Sequence, residues 1–251
     1  MLDLFVVVVK RSRTVAYDAG MSGRLDPTSV DAVAALADPV RRSLFELVRS
    51  VPGAVTREDA AGAVGVSRKL AAFHLDKLVR VGLVAVDTAA AAGRVGRRPR
   101  VYRLALATDV QVSIPARKHQ LLATLLLEAV TSQRPGEDGV TAALRVSRER
   151  CRDGGSAERE LRRPGRLGAE RALSVLTALL LRLGYEPSRQ SARTVHFRSC
   201  PFHPLAAEAT EVTCGVHHAY ISGLVEGLGA STVEAVLAPG SDGCCVELRG
   251  R

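Results

Sequence analysis

The stretch that decides the fold reads DPVRRSLFELVRS (38–50), then VPGAVTREDAAGAVGVSRKLAAFHLDKLVRVGLVAV (51–86). After a glycine- and arginine-rich interval it continues as RPRVYRLAL (98–106). Leu36, Val40, Leu44, Leu47 and Val48 recur at helical spacing and define one apolar face. Asp38 stands where a helix cap is needed, with Pro39 in the first turn, and Pro52-Gly53 ends the helix. Thr56 caps a short second helix, with Asp59 three residues on to complete a capping box. Gly65 makes a turn, Val66 packs, and Ser67 caps a third helix. Ala71, Leu75 and Leu78 hold that helix on the core, so Arg68, Lys69, Ala72 and Phe73 project from its first turns on the other side. Gly82 ends it. Leu83–Asp87 and Arg100–Leu106 then read as two strands, joined by a small-residue tip, Ala89–Pro99, that carries Arg94, Arg97 and Arg98.

Three short helices followed by a basic hairpin, over residues 26–108, describe a winged helix-turn-helix. In that arrangement the third helix meets base edges in a major groove. Arg68 and Lys69 suit guanine edges or phosphate, and Phe73 suits a thymine methyl. The hairpin lies along phosphates or enters the minor groove. The expected contact set is Ser67, Arg68, Lys69, Ala72, Phe73, Arg94, Arg97, Arg98 and Arg100, and the expected partner is double-stranded operator DNA. Charge agrees with this. The net charge is +9, of which residues 1–110 carry +6, residues 111–190 carry +5 and residues 191–251 carry −2. Two plainer readings stand beside it. Arg and Ala richness also follows from a GC-rich genome, and three helices can form a protein-interaction domain that never touches DNA.

The pieces LADPVRRSLFELV, VSRKLAAFHLDKLVRVGLV and GRRPRVYRL resemble the ArsR/MarR-type winged-helix regulators of bacteria. The resemblance implies a DNA-binding transcriptional regulator, not an enzyme, most often a repressor. It also implies a homodimer on a two-fold site.

Pro115 opens a helix through Thr131 whose Leu121, Leu122, Leu125, Leu126, Ala129 and Val130 make an apolar face too broad for a lone surface helix. It reads as a dimerisation helix or as an internal core helix, and the two are compatible. Ala142–Arg152 reads as a basic helix carrying Cys151, and Gly154–Gly168 as a mobile loop. Residues 113–168 are therefore assigned to dimerisation and linkage, and residues 169–251 to a small α+β sensor domain. The fold class is α+β. In the sensor, Ala169–Leu183 is a helix, Thr194–Ser199 a strand, Glu211–Leu228 a helix, and Val233–Leu237 and Cys244–Leu248 two further strands.

Four of the five cysteines fall in this last domain: Cys200, Cys214, Cys244 and Cys245. In a cytoplasmic chain such clustering points to metal or redox chemistry rather than structural disulfides. Thiolates are soft ligands that suit an iron–sulfur cluster, Zn²⁺ or Cu(I). Adjacent strand residues face opposite ways, so Cys244 and Cys245 do not both bind. Cys244 shares the core face of Val246 and Leu248. This parity favours Cys200, Cys214 and Cys245 as ligands, with the fourth position open to His203, His217, Cys244 or an external molecule. His196, on the face of Cys200, reads as a supporting residue. The domain resembles that of the iron–sulfur repressors of Suf operons, in which a closely spaced cysteine pair is followed by a third. The pair here is Cys200 and Cys214, and the third is Cys244 or Cys245. That resemblance implies an iron–sulfur cluster. Rival readings are a structural zinc site, a small-molecule effector domain, and a thiol hydrolase built from CPFH and CGVHH. The last has no evident acid partner or oxyanion device.

No run approaches the roughly 20 apolar residues of a membrane span, so a cytoplasmic location without membrane contact is expected. Met21 opens MSGRLDP in the manner of a natural start, and residues 1–25 read as a disordered or mis-called extension.

Overall fold

The computed structural model describes residues 27–88, 99–105, 110–238 and 243–251. The expected extension and the arginine-bearing hairpin tip lie outside them. The chain forms two compact units, Arg24–Ile114 and Pro115–Arg251.

The first unit contains α1 (Pro27–Ala35), α2 (Pro39–Ser50), β1 (Val55–Thr56), α3 (Arg57–Val64), α4 (Arg68–Arg80), β2 (Val84–Thr88) and β3 (Arg100–Leu104). The caps fall where the sequence puts them. The Asp38 carboxylate accepts from the Arg41 amide at 3.0 Å, Thr56 and Asp59 form a reciprocal box, and the Ser67 hydroxyl accepts from the Leu70 amide at 3.2 Å. Gly65 sits at φ 73°, left-handed backbone that a side chain rarely adopts. Leu44, Val48, Ala60, Ala71, Leu75 and Leu78 make the core, with Leu36, Val40 and Leu47 packed against it. Two elements went unread in the sequence. The helix α1 precedes the recognisable pattern. The two-residue β1 pairs with β3, giving a sheet in the order β1-β3-β2. Tyr102 of β3 is fully buried, and its hydroxyl donates to Asp76 of α4 at 3.1 Å, which ties the hairpin to the helix.

The second unit contains α5 (His119–Thr131), α6 (Gly139–Arg162), α7 (Ala169–Arg182), β4 (Pro187–Ser191), β5 (Thr194–Phe197), α8 (Leu205–Glu208), α9 (Thr210–Gly227), β6 (Val233–Leu237) and β7 (Val246–Gly250). Its sheet is antiparallel throughout, in the order β4-β5-β7-β6. The expected division at residue 168 is not present, because α5 and α6 share one core with α7, α9 and the sheet. The expected mobile loop over 154–168 is also corrected: α6 continues to Arg162, and Gly154 and Gly155 are buried within it. Glycine normally costs a helix about 1 kcal/mol relative to alanine, which is why this pair reads as a break. Here it lets α6 and α9 meet backbone to backbone. A Cβ on Gly155 would stand 2.5 Å from the Leu224 carbonyl oxygen, and one on Gly223 would stand 2.1 Å from that of Arg148. Cys151 is buried in α6, and the Arg148 guanidinium donates to Glu226 of α9 at 2.8 Å.

This contact predicts that Gly223→Ala destabilises the full chain by about 2 kcal/mol or more, since neither backbone can retreat alone. Gly62→Ala in α3, with nothing within 4 Å of the added carbon, should change stability by no more than about 1 kcal/mol and in the stabilising direction. Urea unfolding of both variants compares them. Equal midpoints would contradict the close-packing account.

Candidate nucleic-acid interface and thiol pocket

The face of α4 that its core residues leave outward is the one the sequence singles out. Arg68, Lys69 and Phe73 are exposed, Ala72 is half-buried, and Phe73 shows 53% of its surface. The Lys77 ammonium lies 4.6 Å from the Phe73 ring centroid, so a cation and an aromatic share one turn of this face. Two of the expected contact residues are engaged within the unit. Arg68 pairs with Glu58 of α3 at 2.7 Å, and Arg100 of β3 pairs with Asp76 at 3.5 Å. Both pairs are solvent-exposed and weakly held, so a phosphate can displace either carboxylate. Ser67 acts as the helix cap. Arg94, Arg97 and Arg98 lie outside the described residues.

The cysteines of the second unit gather where β5 ends, where α9 begins and just before β7. Cys200 follows β5 in a turn closed by the His203 amide donating to the Cys200 carbonyl at 3.3 Å. Contact with the Cys244 thiol, then the amides of Phe202 and His203 and the nearby Arg117, hold the Cys200 thiol down at about 6 against partial burial. Cys244 is buried and pushed up, first by donating to Cys200 and then by desolvation. Its sulfur also meets Nδ1 of His217 at 3.3 Å. His217 lies within the aromatic cluster of Tyr185, Phe197 and Phe202 and stacks on Tyr185 with the rings 3° from parallel. Burial, then His218 and Lys118, push it down to about 3, so it is neutral at physiological pH. The relay is self-consistent if Nδ1–H donates to the Cys244 sulfur and the Cys244 S–H donates to the Cys200 thiolate. Nε2 of His217 is then an acceptor, buried without a hydrogen-bond partner. A thiol kept protonated next to a neutral imidazole is the opposite of an activated nucleophile.

The expected ligand trio is not assembled as such. Cys214 and Cys245 are joined in a disulfide with Cα atoms 6.5 Å apart, and Cys200 partners Cys244 instead. The reason is local. The expected strand from Cys244 begins only at Val246, so strand parity does not apply to the cysteines. Cys244 is nonetheless buried, Cys245 bonds Cys214 at the start of α9, and the Cys200 turn meets Cys244. His203 is exposed; its amide closes the Cys200 turn and its carbonyl meets Nε2 of His119 at 2.9 Å. His196 pairs with the buried Glu247 at 2.6 Å rather than supporting a thiol. Among the described residues, no group of three or more His, Cys, Asp or Glu side chains is disposed to hold a metal ion. Sequence reasoning did not find Arg117, Lys118 or Tyr185. A lone Arg-Lys pair before a helix carries no signal of burial, yet Lys118 is only 8% exposed, and burial lowers it to about 8.

Residues 36–87 match a family model described as a helix-turn-helix domain, which spans α2 through β2. Among solved structures, the chain is similar to a homodimeric winged helix-turn-helix DNA-binding domain from Mycobacterium bovis, described as a possible ArsR-family transcriptional regulator. The identity is 24% over 44% of this chain and 86% of that one, with a TM-score of 0.27. A score this low establishes no shared arrangement. Comparison with curated proteins gives no match. Among the described residues, no helix is long and apolar enough to cross a membrane.

The environment of Cys200 has a measurable consequence. In disulfide-intact, metal-free protein its alkylation by iodoacetamide, followed by peptide mass, should reach half its maximal rate near pH 6. Arg117→Ala should move that midpoint upward. A midpoint near that of an ordinary thiol, about 8.5, would mean that neither the Cys244 contact nor the turn amides stabilise the thiolate.

Proposed function

We propose that this chain is a DNA-binding transcriptional regulator of the ArsR type that works as a homodimer and whose C-terminal unit senses metal or redox state. The observation that carries the reading is the exposed face of α4, set on a helix-turn-helix by the Ser67 cap and tied to the hairpin through Tyr102 and Asp76. Arg68, Lys69 and Phe73 then read a major groove, and Arg94, Arg97, Arg98 and Arg100 of the wing follow phosphates. Repression follows if the bound dimer blocks a promoter.

The dimer reading is supported by α5. Leu122, Leu125 and Ala129 are buried in the unit, while Leu126, Leu127 and Val130 remain exposed at 37%, 65% and 72%. Side by side on one helix, these three side chains suit the same face of a second copy, since a two-fold interface brings like surfaces together.

For the sensor, the donor chemistry suits a soft centre. Cys200 is held as a thiolate in contact with Cys244, whose sulfur meets Nδ1 of His217 and which precedes Cys245 of the Cys214–Cys245 disulfide in the chain. A disulfide sulfur is not a thiolate ligand, so Cys214 and Cys245 can bind only once reduced. Cys200, Cys214 and Cys245 would then hold an iron–sulfur cluster, with Cys244, His217 or His203 as the remaining donor. When bound, the cluster supplies an oxidant-labile link between the start of α9 and the Cys200 turn. The disulfide itself favours a second reading, in which the Cys214–Cys245 pair is the sensor and no metal is required. Zinc on the reduced thiols is a third. Anaerobic purification separates them. Brown protein with iron and sulfide, lost in Cys200→Ser, Cys214→Ser and Cys245→Ser, supports the cluster. Colourless protein with one zinc per chain supports the zinc site, and colourless metal-free protein the thiol pair.

DNA binding is expected to weaken steeply with salt. Lys69→Ala should lower affinity across all sequences and reduce the slope of log affinity against log salt by about 1. Phe73→Ala should relax sequence preference while keeping the slope. Binding of wild-type chain that ignores salt would overturn the DNA reading. Independently, Leu127→Glu with Val130→Glu should convert the dimer to monomer in sedimentation. A variant pair that sediments as wild type would remove α5 from the interface.

A further inference from the structure

We propose that residues 117–119 form a latch that reads the arrangement of the thiol pocket and passes it to the chain leading back to the helix-turn-helix. This rests on the reading of the C-terminal unit as a sensor and adds the route by which that unit acts.

Three consecutive residues at the start of α5 grip three positions of the Cys200 turn. The Arg117 guanidinium donates to the Cys200 carbonyl at 2.6 Å. The Lys118 amide donates to the Pro201 carbonyl at 2.8 Å. Nε2 of His119 meets the His203 carbonyl at 2.9 Å. A second path reaches the same place from below. The Cys244 sulfur touches His217, His217 stacks on Tyr185, and the Lys118 ammonium lies 4.8 Å from the Tyr185 ring centroid while donating to the Leu183 carbonyl. Burying an ammonium against one carbonyl and one ring face is costly, so Lys118 keeps that position only while its surroundings stay in register. Pro115 and Ala116 alone separate the latch from Ile114, the last residue of the reading unit. Arg117 thus stands with two residues of chain between it and that unit.

The element with two states is the Cys214–Cys245 pair. To form the bond, two thiols give up two protons and two electrons to a disulfide-forming oxidant such as diamide, which becomes its hydrazine. Dithiothreitol returns them and is itself oxidised to its cyclic disulfide. Breaking the bond moves the sulfurs from bonding distance to van der Waals separation. Cys244 is joined to Cys245 by one peptide bond, so the change reaches both the Cys200 contact and the His217 contact. Coupling of this kind requires an element whose two arrangements both ends feel, and the latch reaches one contact through the Cys200 carbonyl and the other through Tyr185 stacked on His217.

Hydrogen exchange on the full chain tests this without DNA. Exchange of the amides of residues 117–122 should differ by roughly ten-fold between dithiothreitol-reduced and diamide-treated protein. Arg117→Ala and Lys118→Met, checked for retained fold by circular dichroism, should each shrink the difference to roughly two-fold or less. Both should still form the Cys214–Cys245 disulfide, as shown by peptide mass. Equal exchange in the two states of wild type, or a full difference surviving in both variants, overturns the latch. Failure of the sensor reading appears elsewhere, as DNA affinity that ignores the thiol state while the exchange difference stands.

Discussion

The C-terminal unit depends on a backbone-to-backbone approach. Gly155 of α6 and Gly223 and Gly227 of α9 leave no room for a Cβ, and the atoms they would meet are main-chain atoms that cannot swing aside. This fixes α9, and α9 carries both Cys214 and His217. Where these two stand relative to Cys244, Cys245 and the Cys200 turn is therefore set by helix packing, not by the cysteines. A pocket built this way can change its bonding without rebuilding its walls, which is what a sensor needs.

Electrostatics separates the two thiols of the pocket that stand outside the disulfide. The contact with Cys244, then the turn amides and Arg117, favour charge on Cys200, while donating to Cys200 and then burial deny it to Cys244. Cys214 and Cys245 bond each other instead. In the proposed function an oxidant and a soft metal would compete for these two sulfurs, since the oxidant joins them as a disulfide and the metal needs both as thiolates. The metal and redox readings are two outcomes of one pocket.

The reading unit was legible almost residue by residue because its signals are local. A cap, a box, a turn glycine and an i, i+4, i+7 stripe each act within a few residues, and Asp38, Thr56, Gly65, Ser67, Ala71, Leu75 and Leu78 all stand as the pattern required. The two-residue β1 was not legible, because two residues carry no periodicity and the strand it pairs with, β3, is distant in sequence. In the second unit the strongest errors came from glycine. Gly154 and Gly155 look like a break when read locally, and only the partner helix explains them. Strand parity has no hold on Cys244 and Cys245, which precede β7. It could not foresee that the Cys200 turn folds onto Cys244, because turn geometry follows from contacts with Arg117, Lys118 and His119, distant in sequence.

In the proposed function, α4 meets DNA and the sulfur pocket decides how firmly it holds. The most direct measurement is the affinity of one preparation of the full chain for a duplex selected from a random library, first with all thiols reduced and then with the Cys214–Cys245 bond formed. The account predicts dissociation constants that differ by roughly ten-fold or more, within the usual range of coupling between sites, with the difference abolished in Cys214→Ser. Identical constants in the two states, at any salt concentration where binding is measurable, would contradict it.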